Sequence, residues 1–365
     1  MLNNKTIAVV VPAYNEESQI GMVIESMPEF VDRIIVINDC SKDNTAKVVA
    51  GYFTSEFNKS VRIQKKDKTL VRDRYNYADV VSSQMTEREE QYYPEIEVVN
   101  PDPECGRIIL INHIRNSGKG AGIITGYKWC RDNDIDCTAS MDGDGQMDPS
   151  ELESLCRPVV DENIDYVKGN RLIHRSSRIV IPKIRFFGNS ILSILTKVAS
   201  GYWHVSDTQT GYTAISLKAL NSIKIYDIYK YYGYPNDMLV KLNLAYCSLR
   251  EVEIKPVYNV GEQSKMKISK VVRKVSWLLF KSFFKRIWMR YLFLDFHPLF
   301  MLYNLAFIML IACIPYLYKI LHAIALDITI GTLPVLAFFF LFITGFQFLL
   351  FAMWMDMQDN ERLNK

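Results

Sequence analysis

The chain has 365 residues, of which 49% are hydrophobic and 23% are charged, and its formal net charge at pH 7 is +3. This length is sufficient for one large domain with an appendage, and we expect no nucleic acid among its partners. The seven cysteines are scattered and include no Cys-x-x-Cys pair, so the sequence indicates neither a disulfide framework nor a zinc site.

The N-terminal part of the chain alternates short apolar runs with helical patterns, which is typical of parallel strands joined by helices. A first strand is predicted over residues 6–11, and a turn then leads into a helix over 18–27. A second strand, 33–37, ends in a polar turn before the next helix. The alternation predicts an α/β fold with a mostly parallel sheet flanked by helices.

Residues 54–105 interrupt this alternation, because they are polar, heavily charged and contain no glycine. We interpret them as an insertion that holds one helix and one strand. Partial disorder is the alternative, since such a composition buries little apolar surface.

Two further strands follow the insertion. The third, 108–111, precedes a glycine-containing turn at 116–122 and a helix that ends at Cys130. The fourth, 135–140, runs into an acidic turn with the sequence Met-Asp-Gly-Asp-Gly-Gln-Met-Asp-Pro at 141–149. Residues 166–171 are typical of one more strand end.

The acidic turn carries the strongest chemical signal in the chain. Asp148 is expected to cap the next helix, whose first residue is a proline. Asp142 and Asp144 then lie at the carboxyl end of a strand, which is the edge where open α/β sheets bind ligands. Two carboxylates at this spacing can hold a divalent cation, and through it a diphosphate.

Two other interpretations of the acidic turn remain open. A calcium loop would need a glycine where Met147 stands and a helix before the loop, and the preceding segment is no helix. An acidic, glycine-containing turn without a ligand is the simpler alternative, because Asp and Gly favour turns in any case.

Two stretches have the pattern of amphipathic helices. Residues 182–200 carry an apolar stripe beside three cations, and residues 263–294 contain nine lysines and arginines without an acid. We expect both stretches to lie on a membrane surface, with core packing as the alternative for the first. On a helix, four lysines of the second stretch share one face: Lys270, Lys274, Lys281 and Lys285.

Two uncharged apolar runs, 296–318 and 328–355, come next. Each is long enough to cross a bilayer as a helix, which predicts a transmembrane hairpin, and fully buried core helices are the alternative. The basic stretch before the first run predicts that the large N-terminal domain lies on the cytoplasmic side. The N-terminus has neither a basic region nor a cleavage site, so no export signal is expected.

Seven segments of the chain match, in order, the motifs of a known enzyme family. They are Val-Pro-Ala-Tyr-Asn-Glu at 11–16, Asn-Asp-Cys-Ser-Lys-Asp-Asn-Thr at 38–45, Asn-Ser-Gly-Lys-Gly at 116–120, Asp-Gly-Asp-Gly-Gln at 142–146, Gly-Asn-Arg at 169–171, Asp-Thr-Gln-Thr-Gly-Tyr at 207–212 and Ser-Lys at 264–265. With these segments the chain resembles family 2 glycosyltransferases of the GT-A fold. It is most similar to the group that glycosylates a polyprenyl phosphate, such as the dolichol-phosphate mannose and glucose synthases. The resemblance covers nearly everything outside 54–105.

The resemblance implies a division of the chain. A GT-A, Rossmann-like catalytic domain would span 1–262, with the insertion at 54–105 and an amphipathic membrane-interface segment at 178–203. A basic juxtamembrane segment, 263–294, would lead into two transmembrane helices within 295–356. A cytoplasmic tail, 357–365, would end the chain.

The resemblance also implies the members of a site. The residues expected to bind the donor are Pro12, Ala13, Tyr14, Glu16, Asp39, Ser41, Lys119, Asp142, Gly143 and Asp144. Those expected to hold Mg²⁺ or Mn²⁺ are Asp142, Asp144 and Gln146. Those expected near the acceptor phosphate are Arg171, Lys183, Arg185, Asp207, Gln209 and Lys265. Which basic residue grips the lipid phosphate stays open, because Tyr258 and Asn259 stand where close relatives often carry an arginine.

The implied reaction is a metal-dependent, inverting transfer of a sugar from a UDP- or GDP-sugar to a polyprenyl phosphate at the cytoplasmic membrane face. Asp144 and Asp237 are the expected catalytic residues. A phosphate monoester is already anionic near neutral pH, so Asp237 would only orient the substrate. The resemblance leaves the sugar and the presence of a homo-oligomer open.

Two other functions are weighed against this one. In a transfer to a hydroxyl of a glycolipid or glycan, Asp237 would be a true base, but the Gln-x-x-Arg-Trp motif of processive synthases is absent. A catalytically silent membrane scaffold would be expected to have lost the carboxylates, and this chain keeps Asp142, Asp144 and Asp237.

Overall fold

The structure is a computed structural model. It describes residues 1–59, 73–100, 102–103, 105–181, 183–257 and 268–365.

A mixed sheet of eight strands forms the centre of the N-terminal domain. Its strands are β1 Ile7–Ala13, β2 Arg33–Asn38, β3 Ile96–Val98, β4 Ile108–His113, β5 Cys137–Ser140, β6 Tyr166–Asn170, β7 Thr213–Ser216 and β8 Leu249–Glu253. They lie in the order β3-β4-β2-β1-β5-β7-β6-β8. Four neighbouring pairs are parallel, and the pairs made by β3 with β4 and by β7 with both of its neighbours are antiparallel.

Helices cover both faces of this sheet and continue beyond it. They are α1 Ile20–Glu25, α2 Thr45–Gly51, α3 Tyr77–Glu89, α4 Lys119–Asp132, α5 Leu152–Asp161, α6 Ser177–Val180, α7 Lys183–Ser200, α8 Leu217–Ser222, α9 Tyr234–Leu244, α10 Ile268–Trp288, α11 Pro298–Ala312, α12 Ile314–Ala325 and α13 Thr332–Glu361. The α/β class predicted from the sequence is therefore confirmed.

The core of the domain explains why the sheet forms. All seven residues of β1 are buried, because one face of the sheet packs on α1, α2 and α5 and the other on α4, α8 and α9. A strand covered on both faces has a continuous apolar run instead of an alternating one. The predicted strands appear within two residues of their expected bounds. The sequence analysis did not predict β7, because its four residues are too few to show a periodic pattern of apolar side chains.

The described part of residues 54–105 contains α3 and β3, which matches the expected helix and strand. No residue of α3 is buried, and β3 pairs with β4 at the edge of the sheet. The described part of the insertion therefore adds an edge strand and a surface helix to the domain, and Phe57, Tyr93 and Val99 pack against its core.

The C-terminal apolar runs form two long helical segments. By length and composition, Pro298–Ala325 and Thr332–Glu361 could each cross a membrane. Only 22% and 11% of their most apolar windows are buried, whereas the core helix of a soluble protein is mostly buried. Both segments end later in the chain than the predicted runs. The first includes Lys319 and ends at Ala325, and the second ends at Glu361.

The end of the chain packs on the N-terminal domain. The backbone N–H of Leu249 in β8 donates to the carbonyl of Leu363 at 2.7 Å, and the N–H of Lys365 donates to the carbonyl of Leu249 at 3.0 Å. Residues 357–365, for which the resemblance implies a tail, are therefore held against the edge of the sheet.

Candidate active site

A cleft of about 580 Å³ opens where β1, β2, β4 and β5 end. Parallel strands place their carboxyl ends at one edge of a sheet, so the turns that follow them meet there. Twelve of the residues predicted for the site line this cleft: Pro12, Ala13, Tyr14, Glu16, Asp39, Lys119, Asp142, Gly143, Asp144, Gln146, Arg171 and Gln209.

Asp39, which follows β2, organises one wall of the cleft. Its Oδ1 accepts hydrogen bonds from Nδ1 of His113 at 2.7 Å and from the N–H of Ser117 at 2.8 Å, and its Oδ2 accepts one from the N–H of Gly118 at 2.8 Å. Burial alone would raise the pKa of Asp39, but these donors lower it below its usual range. Gly118 has a φ of +96° and lies against the backbone of Lys230, so only glycine fits this turn.

His113 is a residue of this wall that the sequence analysis missed. It is fully buried, and its Nε2 lies 2.9 Å from Oγ1 of Thr125 on α4. A polar residue at the end of an apolar strand was the available signal, but its partner Asp39 lies 74 residues away.

The acidic turn places two carboxylates close together in the cleft. Oδ2 of Asp142 accepts a hydrogen bond from Nζ of Lys119 at 2.6 Å, and Oδ1 of Asp144 accepts one from the N–H of Gln146 at 3.0 Å. Burial first, and the charge of Asp142 second, raise the pKa of Asp144 to about 6, although Lys119 opposes this shift. Asp148 caps the following helical turn as predicted, because its Oδ1 accepts from the N–H of Ser150 at 2.9 Å.

These donors fit a cation that also binds a substrate. Within the described ranges no group of three His, Cys, Asp or Glu side chains could hold a metal ion. Mg²⁺ is commonly held by one or two carboxylates together with substrate phosphates, and Asp142 and Asp144 supply two. The side-chain nitrogen of Gln146 is buried without a hydrogen-bond partner in the part of the chain that the structure describes, so this amide leaves hydrogen-bonding capacity unused at the edge of the cleft. Lys119, which was expected to bind the donor, lies in the cleft and forms an ion pair with Asp142.

On the opposite side of the cleft, Arg171 follows β6 and forms a two-pronged ion pair with Asp207. Its Nε lies 2.8 Å from Oδ2 and its Nη2 lies 3.1 Å from Oδ1 of that residue. Asp207 itself is buried behind Arg171 and does not line the cleft, so it orients the guanidinium. Gln209 lines the cleft and donates from Nε2 to Oδ1 of Asn236 at 3.0 Å.

Several predicted site residues are not brought into the cleft. Oδ2 of Asp237 accepts from the N–H of Tyr229 at 2.8 Å and pairs with Lys241 one turn later on α9, and Asp237 is absent from the cleft lining. Its expected role among the reacting groups therefore stays a prediction. Ser41 accepts from the N–H of Asn15 at 3.0 Å and supports the turn behind the site.

The remaining acceptor candidates lie outside the described residues. This holds for Lys265 and for the side chains of Lys183 and Arg185, whose backbone forms the first turn of α7.

The rim of the cleft is built by helices that the sequence analysis assigned to a membrane surface. Its lining from α7 and α10 is Gly188, Asn189, Leu192, Val271 and Val272. Other faces of the same helices expose large apolar side chains: Ile191, Ile194, Leu195, Trp277 and Phe280. The cleft therefore borders an exposed apolar surface.

The chain belongs to glycosyl transferase family 2, whose model matches residues 8–84 and 90–224. Its similar proteins include a UDP-N-acetylglucosamine--dolichyl-phosphate N-acetylglucosaminyltransferase of Methanococcus voltae, 27% identical over 256 residues that cover 70% of this chain and 87% of that protein. Another is the dolichyl-phosphate beta-glucosyltransferase ALG5D of Trichomonas vaginalis, 24% identical over 300 residues, which cover 77% of this chain and 74% of that protein. Among solved structures, a glucosyl-3-phosphoglycerate synthase from Mycobacterium tuberculosis in complex with UDP aligns with a TM-score of 0.45 and 19% identity, covering 78% of this chain and 80% of that one.

Proposed function

We propose that the protein transfers a sugar from a nucleoside diphosphate sugar to the phosphate of a polyprenyl phosphate, with inversion at the anomeric carbon. The observation that carries this proposal is the position of the cleft. One wall holds the paired carboxylates of Asp142 and Asp144, and the rim is formed by α7 and α10, which expose apolar side chains. A water-soluble donor and a lipid acceptor could therefore meet in one site.

The wall around Asp39 supports a uridine donor. Its Oδ1 already accepts two hydrogen bonds and its Oδ2 accepts one, which leaves one acceptor position. A uracil presents one ring N–H, whereas a guanine presents a ring N–H and an amino group on the same edge. The relative from Methanococcus voltae is named for a UDP-linked sugar, which agrees with this preference.

Asp142 and Asp144 would hold Mg²⁺ or Mn²⁺ together with the diphosphate. Such a cation, when bound, neutralises the negative charge that develops on the leaving diphosphate. The carboxylates supply the fixed part of its ligand set, and Gln146 is the adjacent amide. The ion pair with Asp142 places the ammonium group of Lys119 beside the same position, where it can contact a phosphate oxygen.

The acceptor phosphate would enter from the rim and lie near Arg171 and Gln209. Asp207 holds the guanidinium of Arg171 in one orientation, so it presents a fixed donor pattern to an anion. An anionic phosphate needs no strong base to attack, which agrees with the position of Asp237 outside the cleft lining. Attack in line with the departing diphosphate gives inversion.

The alternative acceptor, a hydroxyl group, would need a base within reach of its proton. Asp237 was the residue expected for this task, and it is paired with Lys241 instead. This pairing supports the proposal of a phosphate acceptor.

We further propose that α11 to α13 anchor the protein in a membrane and that the domain lies on its cytoplasmic side. The exposed cations of α10 include Lys274, Lys281 and Lys285, which would face anionic headgroups. Arg286 and Arg290 belong to the same basic stretch but are fully buried, so the surface charge is smaller than the sequence indicated.

The test is a substrate panel. Purified full-length protein is incubated with Mn²⁺, a short-chain polyprenyl phosphate and one UDP- or GDP-sugar at a time, and the lipid product and released nucleotide are measured. We expect a lipid-linked sugar with at least one UDP-sugar, and none with Asp144→Asn. Transfer to a glycolipid hydroxyl with no product on the lipid phosphate would refute the proposal.

A further inference from the structure

A cluster of buried charged and polar side chains lies far from the cleft, where α13 meets the N-terminal domain. Arg286 on α10 forms a two-pronged ion pair with Asp356 on α13, with Nη1 2.8 Å from Oδ1 and Nη2 2.7 Å from Oδ2. Arg290, one turn later, pairs with Asp359 at 2.7 Å and donates to Oδ1 of Asn360 at 2.8 Å. Arg286, Asp356 and Asn360 are completely buried, and Arg290 is 1% exposed.

The same side chains also bind α7 and α9. Nε of Arg286 donates to the carbonyl of Ala199 at 2.9 Å, near the end of α7. Asn243 near the end of α9 accepts from Nη1 of Arg290 at 2.5 Å and donates to Oδ1 of Asn360 at 2.6 Å. The hydroxyl of Tyr291 donates to Oδ1 of Asp356 at 2.8 Å and accepts from Nδ2 of Asn360 at 3.0 Å. We call this group the junction cluster; its members are Asn243, Arg286, Arg290, Tyr291, Asp356, Asp359 and Asn360.

The cluster is too costly to be explained by stability alone. Removing a guanidinium and a carboxylate from water carries a large desolvation penalty, and well-packed apolar residues would often serve the fold equally well. What buried ion pairs can provide is one specific arrangement of the elements that carry them. The hydrogen bonds of Arg286 are directional, and they fix α7, α10 and α13 in a single geometry.

Three of the four helices joined by the cluster, α7, α9 and α10, also build one side of the cleft. α7 contributes Leu192 from its middle, and α9 and α10 contribute Pro235 and Val272 from near their N-terminal ends. On α10, Val272 and Arg286 are 14 residues apart, which is roughly 21 Å along a helix. A helix of this length transmits a displacement at the junction to the cleft rim.

We propose that the junction cluster is a positioning device that fixes the acceptor side of the cleft relative to α13, so that a lipid phosphate held in the membrane reaches the donor. Arg286 and Arg290 are positioning residues in this scheme and touch no substrate. The proposal rests on the proposed function, because it assigns α13 to the membrane and a lipid to the acceptor site.

The experiment compares two acceptors across three variants. Asp356→Asn keeps the size of the side chain and removes the charge that pairs with Arg286. Asp359→Asn removes the partly exposed charge that pairs with Arg290 and Arg362. Arg157→Gln is the matched control, since Arg157 makes an exposed ion pair with Glu153 on α5. Each protein is assayed with a long-chain polyprenyl phosphate in vesicles and with a short-chain, water-soluble analogue.

For Asp356→Asn we expect kcat/KM for the long-chain acceptor in vesicles to fall about 10- to 100-fold, because small displacements of a reacting group are costly. The kcat/KM for the soluble analogue should change less than about threefold, because an acceptor that is not held in a membrane can move together with the displaced acceptor side of the cleft. The Kd of UDP in the presence of Mn²⁺ should match the wild type. Asp359→Asn should show the same difference between acceptors at smaller size, and Arg157→Gln should show none.

An equal loss with both acceptors would show that the cluster only maintains the fold, and an unchanged value with the long chain would show that it does not position the acceptor side. If Asp356→Asn does not fold, Asp359→Asn decides between these outcomes. Wild-type protein that transfers sugar to neither phosphate would refute the proposed function itself, and with it this inference.

Discussion

Replacing Asp144 with asparagine should stabilise the metal-free protein while it abolishes transfer. Burial and the charge of Asp142 raise the pKa of Asp144 from 3.8 to about 6 in the folded protein. Folding therefore disfavours the ionised form of Asp144 relative to the protonated form. The folded protein is most stable, with respect to this group, below about pH 4, where the carboxyl is protonated, and it loses that stability as the pH rises through 6. An asparagine is neutral at every pH and avoids this loss.

The size of the effect follows from the shift in pKa. A difference of about 2 units corresponds to about 3 kcal/mol at pH 7.5 and, by the same relation, to about 1 kcal/mol at pH 4.5. For a chain of 365 residues that is a rise in Tm of roughly 4 °C at the higher pH. The assay is thermal unfolding of wild type and Asp144→Asn in EDTA at both pH values.

Two controls accompany this measurement. The first is Asp148→Asn, which changes the same chemical group in the same turn. Burial alone would raise the pKa of Asp148, but its bonds to Ser150 and Lys255 lower it below the usual value. No rise in Tm is therefore expected for this variant. Adding Mn²⁺ with UDP should stabilise the wild type and leave Asp144→Asn unchanged. A lower Tm for Asp144→Asn in EDTA at pH 7.5 would refute the electrostatic account of this site.

Other outcomes test the remaining assignments. EDTA should abolish transfer by the wild type, and Mn²⁺ should restore it; full activity in EDTA would remove the cation from the mechanism. Asp237→Asn should lose only part of the rate while it still binds donor, because its carboxylate holds Tyr229 and Lys241 and not the acceptor; complete loss of turnover would favour a hydroxyl acceptor. Arg171→Gln should raise the KM of the acceptor about tenfold and leave that of the donor unchanged, since one charge-assisted contact to the phosphate is lost. Replacing four lysines of α10 with glutamate should raise the KM for the lipid without releasing the protein from membranes; the four are Lys270, Lys274, Lys281 and Lys285. An unchanged KM for the lipid would contradict the placement of that helix on the membrane surface.

The sequence alone predicted which residues form the wall of the cleft that carries the carboxylates. Asp39, Asp142 and the residues after Pro12 follow strands that the apolar runs made visible, and parallel strands place such residues at one edge whatever the details of packing. The helix cap by Asp148 could also be predicted from the sequence, because its partner Ser150 is only two residues away. Local chemistry and strand order were sufficient for these residues.

Only the tertiary structure decided how the two halves of the chain meet. The position of Asp237 outside the cleft depends on how α9 is rotated against its neighbours, which no spacing in the sequence reveals. The basic stretch was expected to lie on a membrane surface, yet Arg286 within it turns inward to Asp356, 70 residues later. A cation on a helix can face a membrane or a buried carboxylate with the same sequence pattern, and the packing of distant helices selects between them.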